Sequence, residues 1–209
     1  MTLLYLVRHG RTAWNDEGRY QGQCDPPLDS LGQQQAQEVA VQLRNLPLTA
    51  IYSSDLQRAQ QTALALSNLI GLPVRLDPRL REIDMGRWAG QVVATIRTAE
   101  PALFARWRSA PLTVRPPAGE TVPELAARVA GALDDITRAH PGETVAVFTH
   151  GAAIATVRCA AQGLSLDSIW QMLMENASWE VVQYTPSGPS APARGRKLPP
   201  PASGGGLGG

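Results

Sequence analysis

Arg8 and His9 stand at the end of an uninterrupted apolar run, Leu3 to Val7, and Gly10 follows them. Such a run reads as a buried parallel strand that delivers a guanidinium and an imidazole to its C-terminal edge, where ligands bind in open α/β sheets. An imidazole can act as a nucleophile. The guanidinium beside it offers a planar fork of donors that suits an oxyanion such as phosphate. Gly10 lets the backbone turn and lets a ligand come close. An isolated Arg-His pair would carry little weight, but the construction recurs. Glu143 to Thr149 reads as a second buried strand, ending in His150-Gly151 before a small-residue helix, Ala152 to Ala161. Two imidazoles at one sheet edge mark a candidate site.

The elements between these strands supply further polar groups. Asp16 to Gln23 is polar and glycine-punctuated, hence a loop, and Asp29 or Ser30 caps a helix running to about Leu46. Ala50 to Ser53 is a short strand. Ser54 and Gln57 have capping-box spacing, which starts a helix with Arg58 in its first turn. A helix N-terminus already attracts anions, and Arg58 adds a second fork of donors there. Val74 to Leu76 is another short strand. Glu82 and Asp84 are rival carboxylates in Leu80 to Gly90. From about Gln91 to Ala118 the pattern is irregular and reads as a pocket wall, with Phe104 and Trp107 in a helix. Thr121 and Glu124 form a further capping box, His140 ends that helix in a structural or solvated role, and Glu180 to Tyr184 is the last strand. Alternating strand and helix signals predict a three-layer α/β/α sandwich with a mostly parallel sheet.

Arg8-His9-Gly10-Arg11-Thr12 with Asn15, Ser53 to Ala59, Arg81-Glu82 before Gly86-Arg87-Trp88-Ala89-Gly90, Gly119-Glu120, and His150-Gly151 together resemble the histidine phosphatase superfamily, the phosphoglycerate-mutase-like phosphatases. The resemblance runs from about Leu3 to Tyr184. It implies the same fold and a mechanism in which His9 attacks phosphorus and becomes phosphorylated. Arg8, Asn15, Arg58 and protonated His150 would surround the transferring group, and Gln21, Gly22 and Gly151 would join them in binding substrate. Glu82 would give a proton to the leaving alkoxide and take one from water; the family's arrangement favours it over Asp84. Arg19-Tyr20-Gln21-Gly22 is similar to the phosphatases of the family, whereas phosphoglycerate mutases have Phe-Thr-Gly-Trp where this chain has Tyr20-Gln21-Gly22-Gln23, and a longer mutase insertion is missing. The implied activity is a phosphomonoesterase acting on a small phosphorylated metabolite, with a phosphoglycerate mutase as the alternative and a non-catalytic phospho-ligand binder as a third option. Asn176-Ala177-Ser178-Trp179 is similar to a segment near the end of glucosyl-3-phosphoglycerate phosphatases.

Composition narrows the remaining classes. The 209 residues are 44% hydrophobic and 18% charged with a net charge of +1, ordinary for one globular domain with no call for nucleic acid or a membrane surface. No membrane-length apolar run or leader is visible. Cys24 and Cys159 have no metal-ligand spacing and form no disulfide framework, so a reducing cytoplasm is the expected compartment. Neither a Walker lysine motif nor a carboxylate cluster for magnesium occurs, so no metal and no cofactor are expected. A homodimer is left open. Residues 1–184 form the expected domain, and 185–209, dense in proline and glycine, are expected to be a disordered tail.

Overall fold

The computed structural model describes residues 1–189 and the backbone of 193–196. The first strand, β1 (Thr2–Arg8), leads through a short helix α1 (Ala13–Asp16) to α2 (Ser30–Leu43). There follow β2 (Leu48–Ser53), α3 (Gln57–Ile70), β3 (Val74–Leu76), α4 (Val93–Ala99), α5 (Pro101–Ser109) and α6 (Val122–Ala139). The chain then returns to β4 (Thr144–Thr149), α7 (Gly151–Ala161) and β5 (Trp179–Thr185). Sheet order is β3-β2-β4-β1-β5. The first four run parallel and β5 antiparallel to β1. The chain thus moves outward through β2 and β3, then comes back to insert β4 beside β1. That reversal brings the two histidine-bearing strand ends together.

Alternation along the strands builds the layers. Leu4, Leu6, Val145 and Val147 face the core under α6 and α7, with Leu125, Val129, Leu133 and Ile154. Val7, Ile51, Ala146 and Phe148 face the opposite core under α2 and α3, with Val39, Ala40, Leu43 and Leu66. The three-layer sandwich expected from the sequence is therefore present.

Three local expectations differ. Helix α2 ends at Leu43 rather than near Leu46. Helix α3 has no Ser54–Gln57 capping box; its N-cap is Leu56, whose side chain cannot accept a hydrogen bond. Asp25, far back in the chain, does that work: its Oδ1 accepts from Gln57 N at 2.6 Å. The tail is not wholly unstructured. Thr185 belongs to β5, while β6 (Gly188–Pro189) and β7 (Ala193–Arg196) pair antiparallel along its outer edge. An open sheet edge takes up backbone regardless of side-chain composition. The rest of the expected tail lies outside the described residues. Among the described residues, no helix is long and apolar enough to cross a membrane.

Candidate active site

Arg8 pairs with Thr149 across the ladder from β1 to β4, so His9 and His150 come side by side, ring centroids 5.1 Å apart. His9 is held through its backbone from both neighbours. Its N–H donates to the Thr149 carbonyl at 3.0 Å, and its carbonyl accepts from Ala177 N at 3.0 Å and Asn176 Nδ2 at 3.2 Å. The side chain is fixed as well. His9 Nδ1 lies 2.7 Å from the Gly10 carbonyl, which can only accept. The proton therefore sits on Nδ1, and Nε2 keeps its lone pair, the state a nucleophile needs. Burial, and then Arg58 and Arg8, hold this imidazole's pKa well below its ordinary range.

The close approach at Gly10 is to the protein itself. A Cβ there would sit 2.5 Å from the Gly32 carbonyl, so α2 packs directly onto the turn behind His9. Thr62 of α3 accepts the Gly10 N–H at 3.0 Å from the other side.

A cavity of about 160 Å³ opens over His9, lined also by Arg8, Asn15, Gln21, Gly22, Arg58, Glu82 and Gly151. Arg58 is fully buried. Its Nη1 and Nη2 donate to the carbonyls of Cys24 at 2.7 Å and Gly22 at 2.8 Å, and burial pulls its pKa down to about 10. It remains a cation at neutral pH. Gly22 reaches that contact with φ +50, a left-handed conformation that favours glycine. Arg8 donates through Nη1 to the Met174 carbonyl; burial lowers its pKa, partly offset by Glu82. Asn15 Oδ1 accepts from Thr12 N at 3.0 Å and Thr12 Oγ1 at 3.1 Å, which leaves its amide donors for an anion. Glu82 Oε1 accepts from Ile83 N at 2.9 Å, and both carboxylate oxygens lie 3.2 Å from Ala152 N at the start of α7. Asp84 instead turns to Gly86 N, at 2.8 Å, and does not line the cavity.

His150 departs from expectation in two ways. It is fully buried and does not line the cavity; its Nε2 meets Ser54 Oγ at 2.8 Å. Burial, then Arg58, His9 and Arg8, push its pKa well below the ordinary value. These surroundings favour a neutral ring, not the protonated one expected from sequence, because every nearby charge of consequence is positive.

Both histidines therefore tie stability to pH. The unfolded chain takes up protons on them as pH falls through about 6.5, while the folded protein keeps them neutral. The unfolded state binds more protons, so stability falls below that pH, by up to about 1.4 kcal/mol per unit for each histidine. The Glu180 carboxyl, pushed up by burial, works in the opposite sense. The expected result is a melting temperature that drops from pH 7 to pH 5, with a visibly shallower slope in His150→Gln. Equal slopes would show that His150 titrates in the fold as it does in the unfolded chain, and a steeper slope in the variant that the fold holds it protonated.

Several lining residues escaped the sequence reading. Met85, Trp107, Trp170 and Leu173 form the cavity's apolar side. Trp107 and Trp170 pack with centroids 4.5 Å apart, and the Arg108 guanidinium lies 4.8 Å from the Trp170 ring centroid. Nothing in their spacing separated them from ordinary core residues. Trp107 lies on α5, within the segment expected to form a pocket wall. Among the described residues, no group of three or more His, Cys, Asp or Glu is placed to hold a metal. Cys24 and Cys159 are free thiols.

This arrangement, an unprotonated imidazole nitrogen beside one buried guanidinium, one half-buried guanidinium and a carboxylate at one sheet edge, is suited to handling a phosphoryl group. The chain belongs to the histidine phosphatase superfamily (branch 1), whose family model matches residues 4–195, and is an enzyme of that class. It is 37% identical over 182 residues to phosphoserine phosphatase 1 of Hydrogenobacter thermophilus, covering 87% of this chain and 86% of that protein. It is also 37% identical over 187 residues to a probable phosphoglycerate mutase of an Enterobacter species, covering 90% and 87%. Among solved structures, a mycobacterial glucosyl-3-phosphoglycerate phosphatase in complex with VO3 superposes with a TM-score of 0.80 at 34% identity, covering 87% of this chain and 92% of that one.

Proposed function

We propose that the protein is a metal-independent phosphomonoesterase that hydrolyses a small phosphorylated metabolite through a phosphohistidine on His9. The observation that carries this reading is the Nδ1–Gly10 hydrogen bond, which leaves Nε2 as a lone-pair nucleophile beside Arg8 and Arg58. Nε2 attacks phosphorus in line as the ester oxygen departs with a proton from the Glu82 carboxyl. Arg8, Arg58 and the Asn15 amide stabilise the charge on the equatorial oxygens, which makes a metal dispensable. The phosphoryl dianion opposes the surrounding cations and thereby favours protonation of His150. Water then attacks the phosphohistidine while Glu82 takes its proton, and phosphate leaves.

Two of the relatives carry phosphatase names, one is named a probable mutase, and the Arg19–Gly22 loop is of phosphatase type. A mutase must shield its phosphohistidine from water. Here Gln23 stands where the mutase segment has its tryptophan, while Gln21 and Gly22 line the cavity. The free thiols fit a reducing cytoplasmic setting. The test is to follow phosphate release from a panel of phosphomonoesters alongside interconversion of 2- and 3-phosphoglycerate, with chelator present throughout. Phosphate release at an undiminished rate, with negligible isomerisation even after priming with 2,3-bisphosphoglycerate, is expected. Isomerisation outrunning hydrolysis would make the protein a mutase, and chelator-sensitive hydrolysis would remove the metal-free mechanism.

A further inference from the structure

Arg128 on α6 lines no part of the cavity, yet all five of its N–H donors are used, three on the short stretch Arg79 to Glu82 and two on the Glu120 carboxylate. Nη1 donates to the carbonyls of Arg79 at 2.8 Å and Arg81 at 2.6 Å. Nη2 donates to the Glu82 carbonyl at 2.8 Å and to Glu120 Oε2 at 2.8 Å. Nε donates to Glu120 Oε1 at 2.7 Å. Glu120 continues the bracing: its Oε2 accepts from Asp84 N at 3.2 Å, and its own N–H donates to the Asp84 carbonyl at 2.9 Å. The pair is largely covered, with 20% of the Arg128 side chain and 14% of the Glu120 side chain exposed.

The chain around Glu82 has no regular structure to hold it. A three-residue 3-10 helix ends at Leu80 and another begins at Gly86. Left alone, such a segment would let the carboxyl wander by more than a proton transfer tolerates. We propose that Arg128 and Glu120 are positioning residues that set the Glu82 carboxyl at the leaving-group oxygen. This rests on the reading of Glu82 as the proton donor. Only a guanidinium satisfies the geometry, since a lysine has three donors and no planar fork to span three carbonyls and a carboxylate. Removing either partner also strands the other as a poorly compensated charge.

The role predicts selective damage. An alkyl phosphate such as glycerol 3-phosphate needs a proton on its departing alkoxide, whereas p-nitrophenyl phosphate releases a stable phenolate and depends far less on the acid. Because kcat/KM reports the steps up to departure of the leaving group, the readout is the ratio of kcat/KM for the two esters. Glu82→Gln should move that ratio toward p-nitrophenyl phosphate by about 100-fold. Arg128→Lys and Glu120→Gln should each move it the same way by about tenfold, beyond any loss common to both substrates. If Glu82→Gln shifts the ratio but Arg128→Lys and Glu120→Gln lower both substrates equally, or neither, the positioning role is overturned. If Glu82→Gln leaves the ratio unmoved, Glu82 is not the proton donor and the mechanism itself fails. Activity on p-nitrophenyl phosphate reports folding within the same measurement, and Glu120→Gln, nearly isosteric, keeps the test open should Arg128→Lys fold poorly.

Discussion

Replacing His9 with alanine is expected to leave a folded protein that forms no phosphoenzyme and turns over at least about 10⁴-fold more slowly. The fold should survive because the bonds that place this residue in the sheet are made by its backbone, to Thr149 and Ala177. Alanine forfeits the Nδ1 bond to Gly10 and little else by way of hydrogen bonding. The chemistry should not survive, because no other unprotonated imidazole lines the cavity: His150 is fully buried, with its Nε2 engaged by Ser54. Rapid mixing with a substrate labelled on phosphorus, followed by acid-stable and acid-labile phosphate analysis, reads the result directly. An acid-labile label that persists in the alanine variant would assign the nucleophile elsewhere.

Arg58→Met should be nearly as damaging, and in two measurable ways. Methionine matches the stem but brings no donors, so on the proposed mechanism the transferring phosphoryl group would lose the Arg58 guanidinium. Loss of one such donor costs about 10²–10³-fold in rate. The same change leaves the Gly22 and Cys24 carbonyls without partners, at roughly 1–3 kcal/mol of stability for each that water cannot reach. Thermal melts and kcat/KM on one preparation separate the two effects. A variant that melts earlier yet stays within about fivefold of the parent rate would confine Arg58 to holding the loop, since a true oxyanion donor costs far more.

Much of this was legible in the sequence because the strands that matter are buried on both faces and read as unbroken apolar runs. Leu3 to Val7 and Val145 to Phe148 announce themselves, and the residues at their ends come with them. Arg58 and Glu82 needed the wider pattern of motifs, since a lone arginine or carboxylate carries no local signature. What stayed hidden depends on contacts between distant parts of the chain. Asp25 takes over the N-terminus of α3 from across a loop, so the local Ser54–Gln57 spacing misled, and Ser54 was left to meet His150. The lowered pKa of His150 follows first from its burial and then from guanidiniums that arrive from β1 and α3. Trp170 looks like a core residue until the fold leaves a cavity against it, whereas Trp107 lies in the segment expected to form a pocket wall. The strands after Thr185 form because β5 offers a free edge, which composition does not reveal.

The placement of His9 has a further consequence for how the enzyme fails. Its amide and carbonyl are tied to β4 on one side and to the loop before β5 on the other, immediately after a strand that has partners along both edges. Hydrogen bonds so placed exchange their protons only when the molecule opens on a large scale, so His9 belongs to the last region to open. On heating, catalysis and tertiary structure should vanish together, with no folded but inactive species in between. Residual turnover is then a direct gauge of the fraction of molecules still native.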